Sequence, residues 1–331
     1  MRIHSLGYPR NDDQIRLRKA YENYWKGIIP LEDLVYITKR IKHSNWQLQQ
    51  EYGINLIPVN NIPYYDQVLD TSLMTGNIPS RFIPIIQQEK KSIHSLHYAM
   101  AKGYNSANTS IKALDTSEWF NSGSSYFVPE FYPEQEFNFV CNDVVNEFIE
   151  AKKYRIKAKP VLLGPVSYLL LGKEIDNGFN KLSLLHKLLP VYKEILNSLH
   201  NLGATYVQIN EPFLSFDMDN IVKGCFAEAY HYFNKECAVK LFLNSYSGSF
   251  ANNLSFAFSL PVYSLNINLQ HYSQQLDSML IPEFVSLSLE INEPLSLSNN
   301  QYQNIISKVE QTIGTERIWV ALQQNSFINY E

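Results

Sequence analysis

The sequence predicts an α/β protein: a (βα)8, TIM-type barrel with an N-terminal helical segment, lacking its last covering helix. Three observations carry that expectation. Short apolar runs alternate with amphipathic helical periods along much of the chain, which is the pattern of a parallel sheet. The run Thr205–Phe213, TYVQINEPF, is rich in β-branched and aromatic residues and stops at Asn210-Glu211-Pro212, because proline cannot donate to a sheet ladder. A buried strand with polar groups at its C-terminal end suits a barrel, where ligands meet that end. Finally, 331 residues that are 45% hydrophobic supply core for one large domain spanning 1–331.

The elements follow in order. Arg2–Leu6 is a short strand, and Gly7-Tyr8-Pro9 turns the chain. Leu17, Ala20, Tyr21, Tyr24 and Trp25 then fall on one helical face, ended by Gly27 and Pro30. A second helix runs over Leu31–Trp46, and Ile54–Val59 is a strand. Helical fragments near Tyr65–Met74 and His94–Ala101 lie among polar loops. His94 and His97 are three apart, but two histidines alone make a weak metal site. Tyr126–Glu130 is an apolar run closed by Pro129 and Glu130. From there the rhythm is regular: helix Asn142–Tyr154, strand Lys159–Leu163, helix Leu182–Leu199, strand Thr205–Phe213 and a helix through Phe226–Phe233. Strands Val239–Leu243, Tyr263–Asn268 and Val285–Leu289 follow, then helix Tyr302–Ile313 and strand Ile318–Leu322. These are nine strand candidates where a barrel needs eight, so the stretch near Tyr126 is expected outside the barrel.

Composition excludes several classes. The net charge is −4 with no basic block, which argues against a nucleic-acid surface. The opening MRIHSLGYPRNDD lacks the apolar core of a signal peptide, and no apolar run is long enough to span a bilayer. Three widely spaced cysteines, Cys141, Cys225 and Cys237, fit reduced thiols and a cytoplasmic location. No GxGxxG, GxxxxGK[ST] or GxSxG motif is present.

A series of short motifs resembles the N-terminal half of cobalamin-independent methionine synthase, the 5-methyltetrahydropteroyltriglutamate–homocysteine methyltransferase family. They include Leu6-Gly7-Tyr8-Pro9-Arg10, Tyr24-Trp25, Tyr65-Asp66, Gly76-Asn77-Ile78-Pro79, Trp119-Phe120-Asn121 and Val128-Pro129-Glu130-Phe131. Lys159-Pro160-Val161-Leu162-Leu163-Gly164-Pro165-Val166, Val207-Gln208-Ile209-Asn210-Glu211-Pro212 and Trp319-Val320-Ala321 continue them in family order.

The resemblance implies two face-to-face barrels, with homocysteine activated on zinc in the C-terminal one, where the metal keeps the thiol deprotonated. That barrel is not among these residues. The segments equivalent to its zinc ligands read Leu243-Asn244-Ser245-Tyr246 and Leu322-Gln323-Gln324, so no metal and no cofactor are expected in this chain. The implied role here is scaffold and contact to the polyglutamate tail of 5-methyltetrahydrofolate, which needs Arg or Lys at a helix start. The matching positions are Gln14, Ile15, Arg16 and Leu17, followed by Arg18 and Lys19, with Glu118 where the family carries lysine. Two basic positions have become Gln14 and Ile15, so the tail contact is expected to be weakened or lost. By family position the chain is part of a methyltransferase of methionine biosynthesis that is not catalytic alone and works with a C-terminal zinc barrel in cis or in trans. The alternatives are a non-catalytic binding or interaction barrel repurposed from that family, and an independent barrel enzyme. Candidates at the barrel top are Asn121, Glu130, Asn210, Glu211 and Tyr246; Asn210 stands where the family usually has Asp, and an amide cannot act as a base.

Overall fold

The computed structural model describes residues 2–7, 12–63, 65–85, 93–106, 109–120, 122–176, 178–245, 248–272, 280–291 and 300–322. Eight strands lie in one sheet: β1 (Arg2–Ser5), β2 (Ile57–Val59), β3 (Ala158–Leu163), β4 (Tyr206–Asn210), β5 (Lys240–Asn244), β6 (Ser264–Asn268), β7 (Ser286–Ile291) and β8 (Ile318–Leu322). All neighbours pair in parallel, in the order β1-β8-β7-β6-β5-β4-β3-β2. A parallel bridge between His4 and Leu56 brings β2 back to β1, so the sheet curls into a barrel.

The helices cover it in chain order: α1 (Asp12–Trp25), α2 (Leu31–Glu51), α3 (Gln67–Met74), α4 (Ile93–Lys102), α5 (Asp143–Lys153), α6 (Pro165–Leu171), α7 (Leu185–Asn201), α8 (Asn220–Glu236), α9 (Leu254–Ser259), α10 (Leu269–Tyr272) and α11 (Asn300–Ile313). The stretch near Tyr126 lies outside the barrel as expected: Ser125–Phe127 pairs antiparallel with Thr116–Glu118 in a hairpin of its own. The expected Leu182–Leu199 helix begins with a 3-10 turn at Lys181–Leu184, and α7 accommodates Pro190 near its start. The α6 helix has no counterpart in the sequence reading, because Val161–Leu171 reads as one interrupted apolar run. The expectation of a missing last helix concerns residues after Leu322, outside the described residues.

Strand alternation divides the barrel wall into two chemistries. The outward residues Val207, Ile209, Leu243, Leu265, Ile267, Leu287, Leu289 and Val320 are fully buried under the helices. Each such aliphatic side chain contributes about 1.5–3 kcal/mol of burial. The alternate residues point into the lumen. Toward the N-terminal end they are aromatic: Phe242 and Trp319 pack against Tyr206 and Tyr263, with the Arg2 guanidinium 4.7 Å from the Trp319 ring centre. Toward the C-terminal end they are polar.

Candidate functional site

Lys159, in the otherwise apolar strand β3, is fully buried in the lumen. Its ammonium meets His4 Nδ1 at 2.6 Å, the Ser5 carbonyl at 3.1 Å and Gln208 Oε1 at 2.6 Å, with the Phe242 ring centre 5.1 Å away. Burial pulls its pKa down, while three acceptors and an aromatic face hold the proton. The donor count fixes the His4 tautomer. Ser288 Oγ donates to Asn266 Oδ1 at 2.7 Å, so it accepts from His4 Nε2–H, also at 2.7 Å. His4 is therefore neutral with Nδ1 free to accept, in line with burial and the neighbouring Lys159 lowering its pKa.

The network closes on itself. Asn266 donates to Asn244 Oδ1 at 3.0 Å, Asn244 donates to Asn210 Oδ1 at 3.1 Å, and Gln208 donates to the same oxygen at 2.9 Å. Gln208 in turn accepts from Lys159. Seven side chains from β1, β3, β4, β5, β6 and β7 thus form one ring. Glu290 joins it through Asn266 at 2.6 Å and Asn268 at 3.3 Å, and burial raises its carboxyl to about 7.

The sequence-selected residues fall into separate places. Asn210 sits in the ring at the C-terminal mouth of the barrel. Glu211 does not face the mouth: it is buried in the outer layer, accepting from Ser167 N–H at the start of α6 and from Tyr230. Burial pushes its carboxyl up to about 7. It fits only against glycine, since a Cβ at Gly164 would lie 2.0 Å from Glu211 Cδ. Glu130 is held by a two-pronged pair with Arg81 and by Lys173 at 3.4 Å. Asn121 and Tyr246 lie outside the described residues, as does the side chain of Gln14. His97 bonds Tyr21 at 3.0 Å and pairs with Asp70 at 2.9 Å, a packing role. Among the described residues, no group of three or more His, Cys, Asp or Glu could hold a metal.

Of the described helix-start residues, Arg18 alone lines a cleft. Ile15 is 67% exposed, and Arg16, 74% exposed, pairs with Asp13 at 3.4 Å; Leu17 is buried and anchors α1. Arg18 faces a cleft of about 310 Å³ lined also by Tyr65, Asp66, Gln67, Trp119, Gly123 and Tyr126. Arg18 Nη2 reaches the Tyr65 carbonyl at 3.5 Å, and its guanidinium lies 5.9 Å from the Tyr65 ring centre. The opposite wall is the hairpin that carries Glu118, whose carboxylate accepts from Gly123 N–H at 3.3 Å.

Asp66, part of the Tyr65-Asp66 motif, ties the hairpin wall to the start of α3. One oxygen caps α3 through Leu69 N–H at 2.8 Å, and the other accepts from Phe127 N–H in the hairpin at 3.0 Å. Burial raises its carboxyl to about 6. Its sequence signals are the Tyr65-Asp66 motif and an Asp placed just before a helical period, an N-cap pattern.

Eight parallel strands under a helical coat, with polar groups at the C-terminal mouth, define a (βα)8 barrel of the kind found in enzymes. The solved structures agree. A putative vitamin-B12-independent methionine synthase from Listeria monocytogenes superposes with a TM-score of 0.62 at 11% identity, over 98% of this chain and 90% of that one. A B12-independent methionine synthase from Shewanella gives 0.60 at 10% identity, over 89% and 82%. At such identities the likeness is one of fold.

Sequence comparison goes further: the family described as cobalamin-independent synthase, N-terminal domain, matches residues 2–289, and the chain belongs to that family. The 5-methyltetrahydropteroyltriglutamate–homocysteine methyltransferase of Flavobacterium johnsoniae is 38% identical over 329 residues, covering 97% of this chain and 42% of that protein. The enzyme of the same name from Saccharomyces cerevisiae is 36% identical over 330 residues, covering 96% and 42%. The chain therefore spans less than half the length of these relatives. Among the described residues, no helix is long and apolar enough to cross a membrane.

Proposed function

We propose that the chain acts as the N-terminal half of a methionine synthase, as one barrel domain over residues 1–331. In this reading it is a cytoplasmic scaffold that contacts the tail of 5-methyltetrahydrofolate. It does not transfer the methyl group itself. The zinc that activates homocysteine belongs to a C-terminal barrel, supplied in cis or in trans. The observation that supports the reading is the Arg18 cleft: Arg18 of helix α1, at a position matching the family's tail contacts, lines it, and the hairpin residues Trp119 and Gly123 to Tyr126 face it from the other side.

Two experiments test it. Mixing the chain with a C-terminal zinc barrel, homocysteine and 5-methyltetrahydrofolate triglutamate should raise methionine formation above that of the C-terminal barrel alone. No gain would overturn the proposal. In calorimetric titration of the methyl-folate, Arg18→Glu should weaken binding about tenfold or more, because an attractive contact becomes a repulsive one.

A second reading has its own support. Glu118 stands at the hairpin where the family carries lysine, and Asn210 spends its side-chain oxygen on the lumen ring. Both fit a barrel repurposed for binding or interaction. Folate binding absent from the wild-type chain would favour it.

A further inference from the structure

We infer that a groove on the N-terminal face of the barrel, at the end opposite the mouth, binds a small amphiphile, with one anionic head on Lys240 and an apolar body along the groove.

The groove lies where two helix-to-strand connections run side by side. The end of α8 leads through Cys237 into β5, and the segment after α9 leads through Pro261 into β6. Between them is a cavity of about 450 Å³, a size usual for small-molecule sites. Its walls include Phe233, Val239, Leu241 and Val262, all buried, so this side belongs to the packed core. Phe284 closes the other side and is 58% exposed. Its backbone is nonetheless tied down: Arg317 donates to the Pro282 and Val285 carbonyls, Val285 N–H to Pro282 at 3.1 Å and Ser286 N–H to Tyr263 at 2.8 Å. A lone exposed aromatic is ordinary, but one held at the rim of an apolar cavity adds wall for an occupant.

Lys240 is the one charged residue among those described that line the groove. Its ammonium lies 4.9 Å from the Tyr263 ring centre, and among the described residues no carboxylate pairs with it. The charges nearby are spent elsewhere. Glu236 pairs with Lys193 at 2.5 Å and Lys235 at 3.7 Å, and Arg2 is turned to Trp319 and the Glu316 carbonyl. Glu283 precedes Phe284 but does not line the groove. One cation beside apolar walls suits a monoanion with a hydrocarbon body, whereas a polyanion would find no second cation in the groove.

The test titrates the full chain with octanoate, butyrate and 1-octanol by calorimetry and follows alkylation of the three cysteines by mass spectrometry. Cys237 lines the groove and Cys141 and Cys225 do not, so octanoate should slow alkylation of Cys237 alone. Octanoate should bind about tenfold or more tighter than butyrate, because its added methylenes are buried. 1-Octanol should bind about threefold or more weaker than octanoate, for want of the charge. Lys240→Glu should weaken octanoate about tenfold and leave 1-octanol within about twofold. Phe284→Ala should weaken both by a similar factor, about threefold or more. Both side chains are exposed, so neither change opens the core. An octanoate Kd above about 1 mM, equal protection of all three cysteines, or an affinity indifferent to both substitutions would overturn the inference. So would a dimer that Phe284→Ala dissociates and octanoate does not, which would assign the groove to a second copy of the chain.

Discussion

The barrel lumen and the cleft on its flank treat their cations in opposite ways. In the lumen, Lys159 places its N–H donors on His4, Ser5 and Gln208. In the cleft, Arg18 makes one 3.5 Å contact to a carbonyl among the described residues and stays exposed. The contrast teaches where to look for a ligand. A buried charge must be satisfied internally or the fold does not hold it, so its chemistry is already committed. A charge left uncommitted beside a cavity is available to something else.

Three perturbations sharpen that contrast. The largest effect belongs to Lys159→Met. It strands three buried acceptors, each worth about 1–3 kcal/mol when unsatisfied, and is partly offset by relief from burying an ammonium. Urea unfolding should show a loss of about 4 kcal/mol, with cleft binding unchanged if the chain is held folded. A loss below about 1 kcal/mol would mean that the ring is incidental.

Next comes Glu290→Gln, read against pH. The Glu290 carboxyl is raised from 4.5 to about 7 in the fold. The folded state therefore holds the extra proton between those values. Its contribution to stability is greatest below 4.5 and is lost as pH rises through about 7. Removing this group should flatten the stability profile between pH 5 and 8 by about 3 kcal/mol relative to wild type. Glu211 titrates in the same window and is present in both proteins, so the difference reports Glu290. Identical profiles would show that the lumen carboxylate is not buried as described.

The smallest effect is that of Asp66→Asn. The amide can still cap α3 but cannot accept at both ends, so the loss should be about 1 kcal/mol. Hydrogen exchange localises it: the Phe127 amide should lose protection while Leu69 keeps most of its own. Equal loss at both would assign Asp66 to the helix alone.

Much of the barrel was legible because the strand–helix alternation is regular from Asn142 onward and the strands there read as near-continuous apolar runs. The position of the hairpin near Tyr126 was legible by counting strands. The ring was not. Its members, among them His4, Lys159, Gln208, Asn244, Asn266 and Ser288, are polar residues in different, mostly apolar strands, far apart in sequence. Only the barrel's closure brings them together. A period-two pattern was visible in Ser286–Ile291, SLSLEI, where serine and glutamate alternate with aliphatics, and it marks a two-chemistry wall. The cleft was half legible. Arg18 and Glu118 came from family position, but Asp66 depends on a hairpin folding back onto a helix start. Glu211 was misleading as a barrel-top group, because the residue that follows a strand turns its side chain outward, here toward α6.

The ring also has a direction. Hydrogen atoms are handed outward from Lys159 along both arms, and both arms end on the same oxygen of Asn210. That residue serves as a terminus, and the ring touches only its oxygen. Aspartate could stand there without moving a neighbour, and it would give the lumen ammonium a counter-charge two links away. One amide-to-acid exchange thus separates a ring that holds a lone cation from one that carries a balanced pair of ions at its centre.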